Sequence, residues 1–171
     1  MKLIVRKISR AKWDSIPDLE PDNIQADAIT SDLRTRDNKL SFWKCESEEN
    51  LDDVVLALAS MWDRLSAVDL AWTEISSLKA LGIQLQETPG DTLVTDLKDS
   101  HVDIMNLDLQ RISDLARLFA CKIRQEKKHK RFSKSAVKKL ITDAVEAKRL
   151  PRDDLKEDIR AAIKSELPKK N

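Results

Sequence analysis

The sequence predicts an α+β fold, in which helices pack on a mixed or antiparallel sheet and an all-helical C-terminal segment follows. Three observations support this prediction. Short runs of alternating apolar and polar residues, typical of strands, recur between residues 2 and 104. Longer runs with an apolar residue every three or four positions, typical of helices, lie between and after them. After residue 124 only the helical pattern is found, and a chain of 171 residues can bury a core without disulfides.

The alternating runs predict strands of ordinary length. Leu40–Cys45 is rich in aromatic residues, which favour strands. Thr88–Asp91 predicts a turn, because its proline fixes one backbone dihedral and its glycine permits the next. The predicted strands cover residues 2–8, 40–45, 68–73, 83–86 and 101–104.

The clearest helix in the first half of the chain begins at Ser47, a residue type that caps helix N-termini well. Acidic residues fill its first turns, where the helix dipole favours negative charge. Residues 76–81 form a further helical turn that Gly82 can end in the left-handed conformation, and residues 24–33 fit either a helix or a strand. The apolar face of the first helix predicts packing on a sheet; it comprises Leu51, Val54, Val55, Leu58, Met61, Trp62 and Leu65.

A long helix is predicted after Asp108, a good N-cap, because apolar residues then recur at helical spacing as far as Ile123. Pro151 breaks the helical pattern near the end of the chain. A last helix is therefore expected to begin after Pro151, with Asp153 or Asp154 as its N-cap.

Residues 122–139 form the most basic stretch of the chain, with Glu126 as the only acid. The apolar stripe of the long helix fades at the start of this stretch, and a new helical stripe begins near its end. Ser133 or Ser135 can cap that new helix. We therefore predict a short basic joint near residues 128–134 between the two helices.

The net charge of +1 conceals a strong asymmetry along the chain. Through Ala120 there are 14 Lys and Arg against 22 Asp and Glu, a net of −8. From Cys121 onward there are 17 against 8, a net of +9. This predicts an acidic α+β body over residues 1–124 and a basic helical arm over residues 125–171. Such asymmetry points to a polyanionic partner, an acidic protein surface, or an arm that packs on its own body.

Composition also excludes several classes of protein. Cys45 and Cys121 are the only cysteines, as expected for a reduced cytoplasmic protein rather than a disulfide scaffold. No signal-peptide pattern or membrane-length apolar run occurs, so we expect no membrane contact. Gly82 and Gly90 are the only glycines, which rules out a glycine-rich phosphate loop. No paired spacing of Cys and His predicts a metal site, and we expect no cofactor.

The basic stretch is the strongest indication of function. Its cations could neutralise phosphates or meet an acidic protein, and Phe132 could stack on a base. We expect a non-enzymatic interaction, adaptor or regulatory subunit whose arm docks on an acidic protein or on nucleic acid. A bacterial toxin–antitoxin or phage-defence system is the context we conjecture for it. A purely structural arm, packed on its own body, is a further alternative. The expected contact residues are Lys122, Arg124, Lys127, Lys128, Lys130, Arg131, Phe132, Lys134 and Lys138.

An enzymatic alternative rests on Asp91, Asp96 and Lys98, with His101 nearby. Two acids followed by an Asp-x-Lys unit resemble the arrangement of metal-dependent nucleases, in which carboxylates hold Mg²⁺ and lysine stabilises charge on the attacked phosphate. Their spacing is shorter than usual in such enzymes, and chance supplies Asp-x-Lys readily in a chain this rich in Asp and Lys. A small metal-dependent nuclease is therefore the alternative hypothesis.

Overall fold

The computed structural model describes residues 2–14 and 23–164. Within these ranges six strands form one sheet in the order β4-β5-β2-β1-β3-β6, and every neighbouring pair is antiparallel. The α+β prediction is confirmed, and the sheet is the antiparallel one of the two predicted alternatives. The strands are β1 (Leu3–Ile8), β2 (Leu40–Cys45), β3 (Val68–Glu74), β4 (Leu85–Glu87), β5 (His101–Ile104) and β6 (His129–Phe132).

Helices cover both faces of this sheet. Side chains of α2, α5 and α6 pack on one face, together with Val5 and Trp72 of the sheet, and we call this the α2 face. Side chains of α1, α3 and α4 pack on the other face, together with Ile4 and Phe42, and we call it the α4 face. The helices are α1 (Ala26–Asp32), α2 (Leu51–Ala59), α3 (Ile75–Ala80), α4 (Leu109–Arg124), α5 (Lys134–Glu146) and α6 (Glu157–Lys164).

Local capping signals placed three helix ends correctly. The Asp108 carboxylate accepts a hydrogen bond from the backbone N–H of Arg111 at 2.8 Å, and α4 starts at the next residue. Ser133 caps α5 in the same way, since its hydroxyl accepts from the N–H of Ala136 at 3.1 Å. Gly82 follows α3 with φ +67°, as predicted. The ambiguous residues 24–33 contain the helix α1.

Two helix predictions were wrong at their ends. The first, α2, stops at Ala59, before the last apolar positions of the predicted face. There the Ser60 hydroxyl donates to the C=O of Ala57 at 3.0 Å and accepts from the N–H of Leu93 at 3.2 Å, which ties the chain to a neighbouring loop. The predicted caps of the last helix lie instead in a 3₁₀ turn, Arg152–Asp154; the chain is then extended at Leu155, and α6 begins after it.

The basic joint is a strand, so the segment after residue 124 is not entirely helical. β6 pairs with β3, with Phe132 opposite Val68 and Lys130 opposite Leu70. Phe132 is buried on the α2 face while Arg131 is exposed, as alternation along an edge strand requires. Residues after 124 therefore complete the same sheet and the same core as the residues before it.

Both C-terminal helices are anchored in that core. Val137 and Ile141 of α5 and Ile159 and Ile163 of α6 have no exposed side-chain surface and pack with α2. Burial of such side chains contributes roughly 1.5–3 kcal/mol each before entropy is subtracted. In the described ranges, no helix has the length and apolar character needed to cross a membrane.

Candidate interaction surface

The basic stretch runs from the end of α4, through a tight turn, into β6 and the start of α5. Lys127 has φ +57°, a left-handed conformation that reverses the chain between α4 and β6. The N–H of Lys128 then donates to the C=O of Lys122 at 2.8 Å, which fixes β6 beside the end of α4. The cations of this stretch fall into two groups, those enclosed by the protein's own acids and carbonyls and those that stay exposed to solvent, some of them while bonded to a neighbouring group.

Lys122 belongs to the first group. Its ammonium lies 2.8 Å from the Glu74 carboxylate and 2.9 Å from that of Glu126, and only 10% of its side chain is exposed. Burial alone would lower the pKa of Lys122, but its interactions with both carboxylates outweigh it and raise that pKa. Lys122 therefore joins α4 to β3 inside the protein, and we leave it out of the contact surface.

Arg124 also serves the protein's own structure. Its Nε donates to the C=O of Trp13 at 2.6 Å and its Nη1 to the C=O of Asn23 at 2.8 Å. The Trp13 side chain is fully buried, and its indole N–H donates to the buried Asp32 carboxylate at 2.8 Å. Arg124 thus fastens the segment after β1 against the end of α4.

Two further cations form ion pairs with acids of other elements. Lys128 lies 2.6 Å from Glu48, which also accepts from the indole N–H of Trp72 at 3.1 Å. The hydrogen bond between Lys128 and Glu48 lowers the pKa of the acid and raises that of the base. Arg131 lies 2.9 Å from Asp69 on β3, yet 63% of its side chain remains exposed. Arg131 can therefore keep this pair and still contact a partner.

Four exposed cations between the end of α4 and the start of α5 define what we call the basic surface: Lys127, Lys130, Arg131 and Lys134. All four side chains are exposed. The Lys127 ammonium donates to the C=O of Arg124 at 2.7 Å, and that of Lys130 lies 4.6 Å from the centre of the Phe132 ring. Lys134 is the first residue of α5. The basic surface therefore lies along one edge of the sheet, from the α4–β6 turn to the start of α5.

Besides Lys122, Arg124 and Lys128, two further predicted contact residues lie outside the basic surface. Phe132 is 5% exposed and belongs to the core of the α2 face, so its ring is not available to stack on a base. Lys138 is half-buried, one turn further along α5 than Lys134. We leave Phe132 out of the contact group because its side chain on β6 faces the core.

A cleft of about 600 Å³ adjoins the basic surface. It lies between the end of β1, the 3₁₀ turn Arg10–Lys12 and the edge of β6, and its charged walls include Arg10, Asp14, Asp69 and Arg131. His129 is half-buried close to it, and burial, with Arg10 and Lys127 nearby, lowers the pKa of His129. The cleft carries both signs of charge, so it continues the basic surface without adding to its net charge.

Two residues of the nuclease hypothesis, Asp96 and His101, are held in other interactions. The Asp96 carboxylate accepts from Arg149 at 2.7 Å, and Arg149 also contacts Asp53 at 3.1 Å. His101 Nδ1 lies 2.9 Å from the Thr88 hydroxyl. Among the described residues, no group of three or more His, Cys, Asp and Glu could hold a metal ion. Asp91 and Lys98 are exposed on the loop and 3₁₀ helix that lead to β5.

Sequence reasoning did not anticipate the pairs that join the two charged parts of the chain. Glu48, Asp69 and Glu74 were recognised as acids, but their partners are set by sheet pairing and helix packing. Arg149, outside the predicted contact group, bridges Asp53 of α2 and Asp96. No local sequence signal marks these pairs, because each joins residues far apart in the chain.

Comparisons with protein-family models, with curated proteins and with solved structures found no match to this chain.

Proposed function

We propose that the protein is a non-enzymatic interaction protein whose basic surface docks on an acidic surface of a protein partner. The supporting observation is that Lys127, Lys130, Arg131 and Lys134 remain exposed along one edge although neighbouring cations are held by the protein's own acids. An adaptor or regulatory subunit would use such an edge to bring a partner to the folded chain. A role in a toxin–antitoxin or phage-defence system stays a prediction.

The start of α5 strengthens the case for an anionic partner. The first turn of α5 contains no acid, and its first residue is Lys134. A helix N-terminus carries partial positive charge and is stabilised by anions, so a cation there is unfavourable by about 0.3–1 kcal/mol. A partner carboxylate beside Lys134 would relieve this repulsion and would interact favourably with both the ammonium and the helix dipole.

A protein partner is favoured over nucleic acid for two reasons. Base stacking needs exposed aromatic rings between the cations, and the one aromatic residue of the stretch, Phe132, is buried. Neutralising a run of phosphates needs many free cations, whereas Lys122 and Lys128 are already paired with carboxylates. The exposed cations that remain suit a small number of partner carboxylates.

The test is a charge reversal that leaves the internal ion pairs intact. The Lys130→Glu/Lys134→Glu variant should bind a fluorescent Glu-rich peptide about tenfold more weakly than the wild type, since each reversal exchanges attraction for repulsion. The matched control, Lys39→Glu/Lys79→Glu, makes the same change of net charge at exposed positions on other elements and should retain binding. Equal loss in both variants would show that net charge alone drives binding and would overturn the proposal.

Gel shifts with duplex DNA, single-stranded DNA and RNA separate the two partner classes. The proposal expects no shift at physiological salt. A strong shift that weakens steeply with salt and is lost in the Lys130→Glu/Lys134→Glu variant would favour nucleic acid instead. A pull-down from the native host with the wild type and with both variants would then identify the protein that only the basic-surface variant loses.

A further inference from the structure

We propose that β6 receives an acidic, extended segment of the partner protein as an additional strand of the sheet. This inference rests on the proposed function and specifies how the basic surface would engage its partner. β6 is the last strand in the sheet order, and within residues 2–14 and 23–164 no strand pairs with its outer edge. The direction of each backbone group on that edge and the charge of the side chains beside it determine which strand can be added.

The pairing with β3 fixes which backbone groups of β6 point outward. In an antiparallel ladder, opposite residues alternate between hydrogen-bonded and non-hydrogen-bonded pairs. The N–H of Trp72 donates to the C=O of Lys128 at 3.2 Å, so the bonded pairs continue at Leu70 with Lys130. The backbone groups of His129 and Arg131, which fall between the bonded pairs, must therefore point to the outer edge.

The pairing of β3 with β1, on its other side, leads to the same assignment of bonded residues. The N–H of Ile75 donates to the C=O of Lys2 at 3.1 Å, and the register of β3 with β1 then assigns Asp69 and Ala71 to the bonded pairs with β1. Their neighbours Leu70 and Trp72 are left for β6, in agreement with the bond from Trp72 to Lys128.

Three backbone groups on the outer edge can pair with an added strand. The N–H of His129 already donates to the C=O of Lys127 at 2.8 Å. The C=O of His129 and both the N–H and the C=O of Arg131 remain. A partner strand that bonds to these groups would also lie beside the exposed side chains of Lys130 and Arg131, which project to opposite faces of the sheet.

The side chains select the chemistry of the added strand. Opposite charges on neighbouring strands stabilise a pair by about 0.2–1 kcal/mol, and like charges destabilise it. A second copy of β6 would place Lys130 and Arg131 beside further cations, so the edge disfavours self-association in the way that lysines protect many edge strands. An acidic segment would instead place carboxylates beside Lys130 on one face and Arg131 on the other. Lys127 and Lys134 extend the favourable positive charge beyond either end of β6.

The experiment uses the full chain and short peptide probes of known chemistry. The first probe alternates Glu and Val and can form a strand; the second alternates Glu and Pro, keeps the charge and cannot pair as a strand; the third alternates Lys and Val. In ¹⁵N-labelled protein, the Glu–Val peptide should bind more tightly than both others and should slow hydrogen exchange of the Arg131 amide. The amide of Lys130, already bonded to β3, is the internal reference.

A pair of variants isolates the outward N–H. Arg131→Ala removes the side chain and keeps the N–H, whereas Arg131→Pro also removes the N–H, at an outward position where edge strands tolerate proline. Arg131→Pro should bind the Glu–Val peptide at least about fivefold more weakly than Arg131→Ala, as expected for the loss of one backbone hydrogen bond. If Arg131→Pro does not fold, as judged by its amide spectrum, strand addition is tested by the exchange of the wild-type Arg131 amide and by the comparison of the three peptides.

The outcomes separate this inference from the function on which it rests. Equal binding of the Glu–Val and Glu–Pro peptides, or an Arg131 amide that exchanges as fast with the peptide as without it, would overturn strand addition while charge-driven docking stands. Equal binding of the Glu–Val and Lys–Val peptides would overturn both. Protection of Arg131 by duplex DNA, or in the free protein together with concentration-dependent dimerisation, would assign the edge to another occupant and overturn the inference.

Discussion

Removing the Lys122 ammonium should destabilise the protein far more than removing any cation of the basic surface. Lys122 lies 2.8 Å from Glu74, and their side chains are 10% and 13% exposed. Lys122→Ala leaves Glu74 buried without its main partner, and breaking a buried pair in this way costs about 3–5 kcal/mol. Because Glu74 retains some contact with solvent, we expect the lower end of that range, about 3 kcal/mol. The additional pair with the more exposed Glu126 contributes only about 0.3–0.5 kcal/mol.

The measurement is urea unfolding followed by tryptophan fluorescence, and the control is Lys130→Ala. Lys130 is exposed, so its removal should change the free energy of unfolding by less than about 0.5 kcal/mol. The double variant Lys122→Met/Glu74→Gln removes both charges and should recover most of the lost stability, since no unpaired charge is then buried. A Lys122→Ala protein as stable as the Lys130→Ala control, or a double variant whose loss equals the sum of its two single losses, would refute the assignment of a coupled buried pair.

Three other perturbations test separate parts of the structure. Gly90→Ala should destabilise the fold by about 1–3 kcal/mol in urea unfolding, because a Cβ at Gly90 would lie 2.5 Å from Cη2 of Trp43; unchanged stability would mean that the loop moves freely. Arg149→Ala should cost only about 0.5–1 kcal/mol by thermal unfolding, since its two ion pairs are partly exposed; a loss several times larger would contradict this. The pKa of His129 is lowered in the folded protein, so the unfolded chain binds its proton more readily and stability is lost as pH falls below about 6.5. His129→Gln should remove that part of the pH dependence between about pH 7 and pH 5, and an identical profile in the variant would exclude the effect.

Local sequence signals predicted those parts of the fold that local interactions determine. The caps Asp108 and Ser133 bond to backbone groups three residues further on, so their residue type was enough to place the ends of α4 and α5. The strand prediction for residues 40–45 matches the bounds of β2, because alternation and aromatic content lie within the run itself. α2 ends at Ala59, and the residue after it, Ser60, is bonded to Leu93, a contact that the sequence of the helix does not reveal.

β6 could not be predicted from its own residues. Three of its four residues, His-Lys-Arg-Phe, are polar, so the run shows no apolar alternation. It forms a strand because the edge of β3 leaves the backbone groups of Leu70 and Trp72 unbonded on one side, and pairing satisfies them. That condition depends on the position of a strand far away in the sequence, and a pattern within the basic stretch cannot contain it.

The candidate site was only half predictable for the same reason. The density of Lys and Arg indicates a basic region, but it could not separate Lys122, held by Glu74, from Lys130, which is exposed. Only the i,i+4 acid Glu126 is visible as a partner of Lys122 in the sequence itself. The other acids come from β3 and the turn before α2, and the fold alone brings them to the cations.

The charge asymmetry of the chain therefore has two physical consequences that respond differently to ionic strength. One part of the positive charge joins the second half of the chain to acidic residues of the earlier elements, as in the pair of Lys122 on α4 with Glu74 on β3, which is largely shielded from solvent. The other part, on the basic surface, faces water, where a Debye length of about 8 Å at physiological salt screens interactions beyond direct contact. Added salt should weaken docking at Lys130 and Lys134 while leaving the buried pair and the fold nearly unchanged. A partner that binds through the edge of β6 would lose less affinity to salt than one held by charge alone, because its backbone hydrogen bonds are not screened.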